Sequence, residues 1–174
     1  MVTATLSPSK RQSLSEDITN LIQQTAAANT ALMRGDIDRY LALTQHAEDY
    51  TLMSPFGGEP THGFDLSRRV EMGRFFSSGT FDQEVVATYS TKDFAVLVTI
   101  RQSRRYANER VCAEVGGLPK QDWSLRVTQV FRREGIGWQL VHRHADPLAN
   151  GIGLQQAAAL ALGVTDAHHS AKST

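Results

Sequence analysis

The chain has 174 residues, of which 41% are hydrophobic and 21% charged, which is enough apolar material for one domain with a single core. Lys plus Arg and Asp plus Glu both number 18, so the formal net charge is zero, which excludes a general nucleic-acid binder that relies on a positive field. No apolar run approaches the roughly 20 residues that cross a bilayer, and the N-terminus lacks a secretory pattern, so we expect no membrane partner and a cytoplasmic location.

The N-terminal third predicts a tail followed by two helices. Residues 1–12 are rich in Ser, Thr and Pro without periodicity, and predict a flexible tail. A first helix is predicted from Ser13, whose spacing from Glu16 is that of a capping box, to a stop at Gly35. Asp36 is a suitable N-cap for a short second helix.

A short strand and a third helix come next in the sequence. The strand is predicted over residues 50–53, before Pro55 and a glycine pair. The helix is predicted over residues 65–76, with Leu66 and Val70 facing inward and Arg69 mostly outward.

The remaining sequence predicts strands separated by turns. The strand candidates cover residues 81–90, 94–105, 123–133 and 138–145. They form two hairpins, with turns at residues 91–93 and 134–137, on either side of a long loop at 108–120. Residues 13–147 then make one domain, and residues 148–174 form a C-terminal extension with a short helix over 154–162 and a frayed tail.

The order of these elements predicts an α+β fold. Helices come first and antiparallel strands later, so the two kinds of element are segregated into layers. A strongly curved sheet wrapped around three helices makes a cone. The open end of such a cone is a natural pocket for a small molecule.

Three stretches of the front half resemble the ketosteroid isomerases. They are Arg34-Gly35-Asp36-Ile37-Asp38, Tyr50-Thr51-Leu52-Met53-Ser54-Pro55 and Gly58-Glu59-Pro60-Thr61-His62-Gly63. In the back half, residues 128–135 and 138–144 resemble the SnoaL-like branch and are similar to the association domain of calcium/calmodulin-dependent kinases. All are members of the nuclear transport factor 2-like superfamily, so the resemblance, over about residues 14–147, implies the cone fold. It implies no single activity, because this fold carries many unrelated functions.

The resemblance to the isomerases does not extend to their catalytic groups. Their proton-shuttling aspartate lies immediately before the proline of the first strand, where this sequence has Ser54. Their oxyanion tyrosine corresponds to Ala28, and their protonated aspartate to Gln129, or to Thr128 if the hairpin register shifts by one. Because a hydroxyl without an activating partner keeps its proton near neutral pH, we expect no steroid isomerisation.

Alternation along the last strand gives one face four side chains. They are Trp138, Leu140, His142 and His144. The Trp and Leu mark this face as buried, so we expect both histidines to line the interior or mouth of the cone. On the preceding strand we favour Thr128 as the neighbour of His142, with Gln129 as the alternative if the turn is shorter.

Three interpretations of His142 and His144 stay open. They are polar pocket walls that contact a ligand, or structural histidines satisfied by neighbouring groups. The third is metal ligation together with Asp146, since His-x-His spacing suits zinc. We adopt the first, and the site prediction contains no metal and no cofactor.

Six further residues complete the predicted pocket. They are Tyr50, Ser54, His62, Arg126, Thr128 and Trp138. Tyr50 and Ser54 share a strand face with Leu52, and we expect the Tyr50 hydroxyl to be satisfied in the core. His62 lies in a loop near the expected pocket entrance. Arg126, if it turns inward, would make a site for a carboxylate.

The function that these features favour is binding of a small, largely apolar ligand with one polar or anionic end. One alternative is an isomerase, cyclase or dehydratase that uses His142 or His144 as acid/base on a small hydrophobic or polyketide-like substrate. The other is a homo-oligomeric assembly module. We expect a homodimer through the exposed sheet face. Four residues supply apolar side chains either on this sheet face or in the core: Val85, Ala87, Val96 and Val98.

Overall fold

The computed structural model describes residues 8–75, 80–100, 111–113, 121–135, 137–148 and 151–162. The helices of these residues are α1 (Pro8–Met33), α2 (Ile37–Leu43), α3 (Leu66–Phe75) and α4 (Leu154–Ala161). The strands are β1 (Gln45–Met53), β2 (Thr61–His62), β3 (Glu84–Ser90), β4 (Phe94–Ile100), β5 (Val111–Ala113), β6 (Gln121–Trp123), β7 (Leu125–Glu134) and β8 (Gly137–Pro147).

The helical N-terminal part follows the predicted signals, with one difference at its start. Helix α1 begins at Pro8 rather than at Ser13, because proline is well suited to a first helical turn, where its missing N–H has no intrahelical partner. Residues 8–12 of the predicted tail are therefore helical. Gly35 has a φ of 74° at the corner after α1, a conformation that glycine adopts without strain. The Asp36 carboxylate accepts the Arg39 N–H at 3.0 Å, which confirms the predicted N-cap of α2.

The strands form one curved six-stranded sheet in the order β2-β1-β8-β7-β4-β3, and β5 pairs with β6 separately. The predicted hairpins β3–β4 and β7–β8 are confirmed, and with them the α+β fold. Two features differ from expectation. Strand β1 starts at Gln45, ahead of the predicted residues 50–53, and it pairs in parallel with β8. Residues 101–105 of the predicted fourth strand lie outside the described residues.

One face of the sheet packs against α1, and we call it the helix-covered face. Its buried residues Leu97, Phe131 and Leu140 contact Ile18 and Leu21 of α1. The opposite side is called the outer face. Successive side chains of a strand point to opposite faces of the sheet. The buried residues therefore mark the helix-covered face, and the residues between them lie on the outer face.

A β-bulge interrupts the alternation that the sequence predicts for β8. Phe131 of β7 lies opposite Leu140, but the next residue, Val130, lies opposite His142. Val141 is therefore an extra residue on β8. One inserted residue transfers every later side chain of the strand to the other face.

The bulge overturns the predicted orientation of both histidines. His142 and His144 lie on the outer face, where His144 is opposite Thr128. Thr128 is thus the neighbour of His144 rather than of His142, and it does not face the core. Arg143, opposite the buried Gln129, takes the place on the helix-covered face that the histidines were expected to fill.

Helix α4 confirms the predicted short helix of the C-terminal extension. None of its residues is buried. Of the helices in the described residues, none is both long enough and apolar enough to cross a membrane.

Candidate functional site

Side chains from four elements and one loop form a polar and aromatic cluster, called here the inner cluster. Its members are Tyr40 of α2, His46 and Tyr50 of β1, Phe64 before α3, Arg69 of α3 and Arg143 of β8. The elements meet here because β1 pairs with β8 and α2 contacts α3.

His46 is the centre of the inner cluster. The Tyr40 hydroxyl lies 3.1 Å from His46 Nε2, within hydrogen-bond distance. The Phe64 ring stacks on the imidazole with centroids 3.9 Å apart, and the Tyr50 ring approaches edge-on at 4.8 Å. Contacts on three sides fix the orientation of the imidazole.

Arg69 is buried in the inner cluster, with only 5% of its surface exposed. Its guanidinium carbon lies 5.1 Å from the centroid of Tyr40 and 5.6 Å from that of Phe64. The predicted orientation of α3 is wrong, since Leu66 is 51% exposed and Val70 is also exposed. Cation–π contact with two rings makes the inward position of this arginine favourable.

The electrostatics of the inner cluster keep His46 neutral. Burial lowers the pKa of His46, and the charges of Arg69 and Arg143 lower it further, to about 3. Burial likewise raises the pKa of Tyr40. Near neutral pH the two residues therefore form an uncharged hydrogen-bonded pair on which the positive charges of Arg69 and Arg143 act.

Two polar groups of the inner cluster have capacity for a further partner. No ion pair of the described residues involves Arg143, which lies on the helix-covered face opposite Gln129. The Tyr50 hydroxyl is buried and, within the described part of the chain, makes no hydrogen bond. The expectation that this hydroxyl is satisfied in the core is therefore wrong. A buried polar group without a partner is destabilising, so a bound ligand that supplies one is favoured.

The predicted pocket residues do not form one wall. Tyr50 is buried, as predicted. Trp138 packs against the core, and the Arg133 guanidinium lies 4.1 Å from its ring centroid. Ser54 lies in the turn after β1, where its hydroxyl oxygen accepts the Phe56 N–H at 3.2 Å.

The other predicted pocket residues lie at the surface. His62 is exposed on β2. Arg126 is exposed on the outer face and pairs with Asp146 at 3.7 Å, so it does not turn inward to make the carboxylate site that an inward orientation would have provided. Arg126, Thr128, His142 and His144 lie on the outer face, so the sheet separates them from the inner cluster. His62 lies on β2 at the edge of the sheet.

A family model for the SnoaL-like domain matches residues 21–149, which is most of the chain. The chain belongs to the SnoaL-like domain family. The match includes every member of the inner cluster. It confirms the resemblance that the sequence carries over about residues 14–147.

Solved structures share the fold of this SnoaL-like domain. A candidate dehydratase of the NTF2-like family from Streptomyces avermitilis is 22% identical with a TM-score of 0.61, covering 78% of this chain and 99% of that chain. A candidate calcium/calmodulin-dependent protein kinase type II association domain from Thiobacillus denitrificans is 19% identical with a TM-score of 0.55, covering 72% and 93%. A candidate ketosteroid isomerase from Shewanella frigidimarina is 15% identical with a TM-score of 0.53, covering 73% and 94%. No curated protein matches the chain significantly.

In this SnoaL-like domain, other residue types occupy the positions that were matched to the isomerase catalytic groups. Ala28 is fully buried, and Gln129, rather than Thr128, is buried on the helix-covered face. The Ser54 hydroxyl oxygen accepts a hydrogen bond from the Phe56 N–H in the turn after β1. The described residues at these positions contain neither a carboxylate base nor an oxyanion tyrosine.

Of the six members of the inner cluster, sequence reasoning named only Tyr50 as a site residue and missed the other five, which are Tyr40, His46, Phe64, Arg69 and Arg143. Alternation continued backward from Tyr50 did not reveal His46, because β1 has a register irregularity between His46 and Thr51 and both Ala47 and Tyr50 are buried. No signal existed for Arg143, since its orientation depends on the bulge. The apolar neighbours of Arg69 on α3 pointed to the wrong face of that helix.

Proposed function

We propose that this SnoaL-like domain binds a small, largely apolar molecule and holds its anionic end, such as a carboxylate, with Arg69 and Arg143. One observation carries the proposal: Arg69 is buried against the Tyr40 and Phe64 rings, and Arg143, on the helix-covered face, forms no ion pair within the described residues. The charges of both arginines lower the pKa of His46. A carboxylate is the natural partner for such a pair, because arginine donates two parallel hydrogen bonds to it.

The neighbouring groups support an apolar ligand body with a defined orientation. Phe64 and Tyr50 supply aromatic surface, and the Phe64 ring lies next to the Arg69 guanidinium. The Tyr50 hydroxyl supplies one hydrogen-bond donor or acceptor without a present partner among the described residues. A few convergent polar groups in an apolar and aromatic lining are typical of a small-molecule site.

The test compares benzoate with benzamide, which has the same shape and no charge. We expect benzoate to bind in a titration calorimeter and benzamide to bind at least tenfold more weakly, a difference of about 1.4 kcal/mol. Arg143→Gln should remove the preference for the anion. Arg68→Gln is the matched control, because it removes an exposed arginine adjacent to Arg69 on the same helix. Equal affinity for the two compounds, or loss of preference in the control, would contradict the proposal.

A second candidate function is acid/base catalysis by the Tyr40–His46 pair, which their 3.1 Å contact favours. This pair replaces His142 and His144, which lie on the outer face. The name of the Streptomyces avermitilis protein indicates a dehydratase, which is one of the reactions expected from the sequence. Because a pKa of about 3 makes the free imidazole a weak base at neutral pH, binding is the function that the geometry supports better.

We also propose that the protein is a homodimer through the outer face. Alternate residues of β4 and its neighbours give this face an apolar strip, in which Tyr89 is 64% exposed. The strip consists of Ala87, Tyr89, Phe94, Val96, Val98 and Val130. Val85, expected on the exposed face or in the core, lies opposite buried Thr99 and belongs to the helix-covered face. An exposed apolar strip on the outer face favours a second copy of the chain as its cover. The expected cytoplasmic location stays a prediction.

A further inference from the structure

The two histidines of β8 form a pair on the outer face that the inner cluster does not use. His142 and His144 are two residues apart on the same face after the bulge at Val141. Their ring centroids are 6.4 Å apart and the planes are inclined by 59°. The His144 side chain is 43% exposed in the single chain.

Each imidazole has one nitrogen engaged with an orienting partner. His142 Nδ1 lies 2.7 Å from the hydroxyl oxygen of Thr51, and that hydroxyl can donate to the Val141 carbonyl at 3.4 Å. In this arrangement His142 Nδ1–H donates to Thr51. His144 Nε2 lies 3.2 Å from a carboxylate oxygen of Asp146 and donates to it. Nε2 of His142 and Nδ1 of His144 then keep their lone pairs, and no hydrogen bond of the described residues uses either atom.

We propose that His142 and His144 chelate one divalent late transition-metal ion, such as Zn²⁺, Ni²⁺ or Cu²⁺, through Nε2 of His142 and Nδ1 of His144. Imidazole nitrogens suit these ions. In metal sites the second ring nitrogen of a histidine ligand is normally held by a carboxylate, a carbonyl or another oriented group. Asp146 and Thr51 occupy that place here. Ligation requires each of the two free nitrogens to come within about 2.0–2.1 Å of a common ion.

The site supplies two protein ligands and leaves the remaining positions to water. Within the described ranges, no group of three or more His, Cys, Asp and Glu side chains is placed to hold a metal ion. Asp146 therefore acts as a positioning residue for His144 rather than as a ligand, and its other oxygen is held by Arg126 at 3.7 Å. Such a site binds its ion weakly and exchangeably, and its open positions can accept an external ligand.

The experiment titrates the untagged full-length protein with Zn²⁺ and Ni²⁺ at pH 7.5. We expect one ion per chain, and at least a tenfold loss of affinity, about 1.4 kcal/mol, in the double variant His142→Gln/His144→Gln. Asp146→Asn should weaken binding by about tenfold or more while the stoichiometry stays the same. Exposed His62→Gln is the matched control and should bind the ion normally.

Two further measurements separate this site from other sources of binding. His168→Gln/His169→Gln tests the histidines near the C-terminus and should leave the affinity unchanged. Electron paramagnetic resonance of the Cu²⁺ form should show coupling to two imidazole nitrogens. The inference is overturned if binding persists in the double variant, or if no saturable binding occurs up to about 1 mM ion, where the binding free energy is only about 4 kcal/mol. Half an ion per chain would place the ion between two copies, and would also overturn the single-chain site.

Discussion

Lowering the pH from 7 to 5 should destabilise the fold by about 2 kcal/mol through His46 alone. The folded protein holds the pKa of His46 at about 3, against an ordinary value of 6.5 in the unfolded chain. The unfolded chain therefore takes up the proton first. The contribution of His46 to stability is complete above pH 6.5 and is lost as the pH falls toward 3. The loss of unfolding free energy between pH 7 and pH 5 follows from these two pKa values. Below pH 6.5, where the unfolded histidine is protonated, the stability falls by about 1.4 kcal/mol for each pH unit.

The assay is urea unfolding at pH 7 and pH 5, compared between the parent and His46→Gln. Glutamine keeps a hydrogen-bonding group next to Tyr40 but does not titrate. The fall in the free energy of unfolding between the two pH values should be smaller by about 2 kcal/mol in the variant. Exposed His62→Gln is the control and should keep the pH dependence of the parent. Arg143→Gln removes one of the cations that act on His46 and should reduce the fall.

The comparison isolates His46 because every other titrating group is common to both proteins. An equal fall in the parent and in His46→Gln would refute the reasoning. So would a nuclear magnetic resonance titration of the folded protein in which His46 changes protonation near pH 6.5.

Three other predictions concern stability, activity and assembly. Arg133 donates to the Asp17 carboxylate and to the Lys92 carbonyl and lies over the Trp138 ring, so Arg133→Ala should lower the free energy of unfolding by about 1–2 kcal/mol. The control Arg126→Ala removes an exposed arginine and should change that free energy by less than about 1 kcal/mol. Equal losses for the two variants in urea unfolding would contradict the importance of the Arg133 contacts. The protein should not isomerise 3-oxo-Δ5 steroids, and turnover above about one per second in a dienone absorbance assay would contradict the assignment of the missing catalytic groups. Sedimentation should show a dimer of 19.2 kDa chains at micromolar concentration, and Val98→Asp should yield a monomer; a parent that sediments as a monomer would contradict the outer-face interface.

The fold could be predicted from the sequence because its signals are local. The corner at Gly35 and Asp36 and the hairpins β3–β4 and β7–β8 are each specified by a few neighbouring residues. The parallel pairing of β1 with β8 has no such signal, since it joins segments about 90 residues apart along the chain. The order of elements was nevertheless enough to predict the layers.

The position of Arg143 in the candidate site could not be predicted because it depends on a single inserted residue. Alternation read from Trp138 and Leu140 is correct as far as Leu140, and the bulge at Val141 then exchanges the faces. The histidines that alternation placed inside lie outside, and Arg143 lies inside. Nothing in the residue types around Val141 marks the bulge, which forms in the pairing with β7.

Soaking a crystal with 4-bromobenzoate tests the central claim most directly, because the anomalous signal of bromine locates the ligand independently of the protein density. We predict one bromine site next to the inner cluster, with the carboxylate within hydrogen-bond distance of the Arg69 and Arg143 guanidinium groups. Arg143→Gln crystals soaked in the same way should lose the site, and Arg68→Gln crystals should keep it. Bromine found only on the outer face, or bound in the inner cluster with its carboxylate directed away from both arginines, would contradict the account.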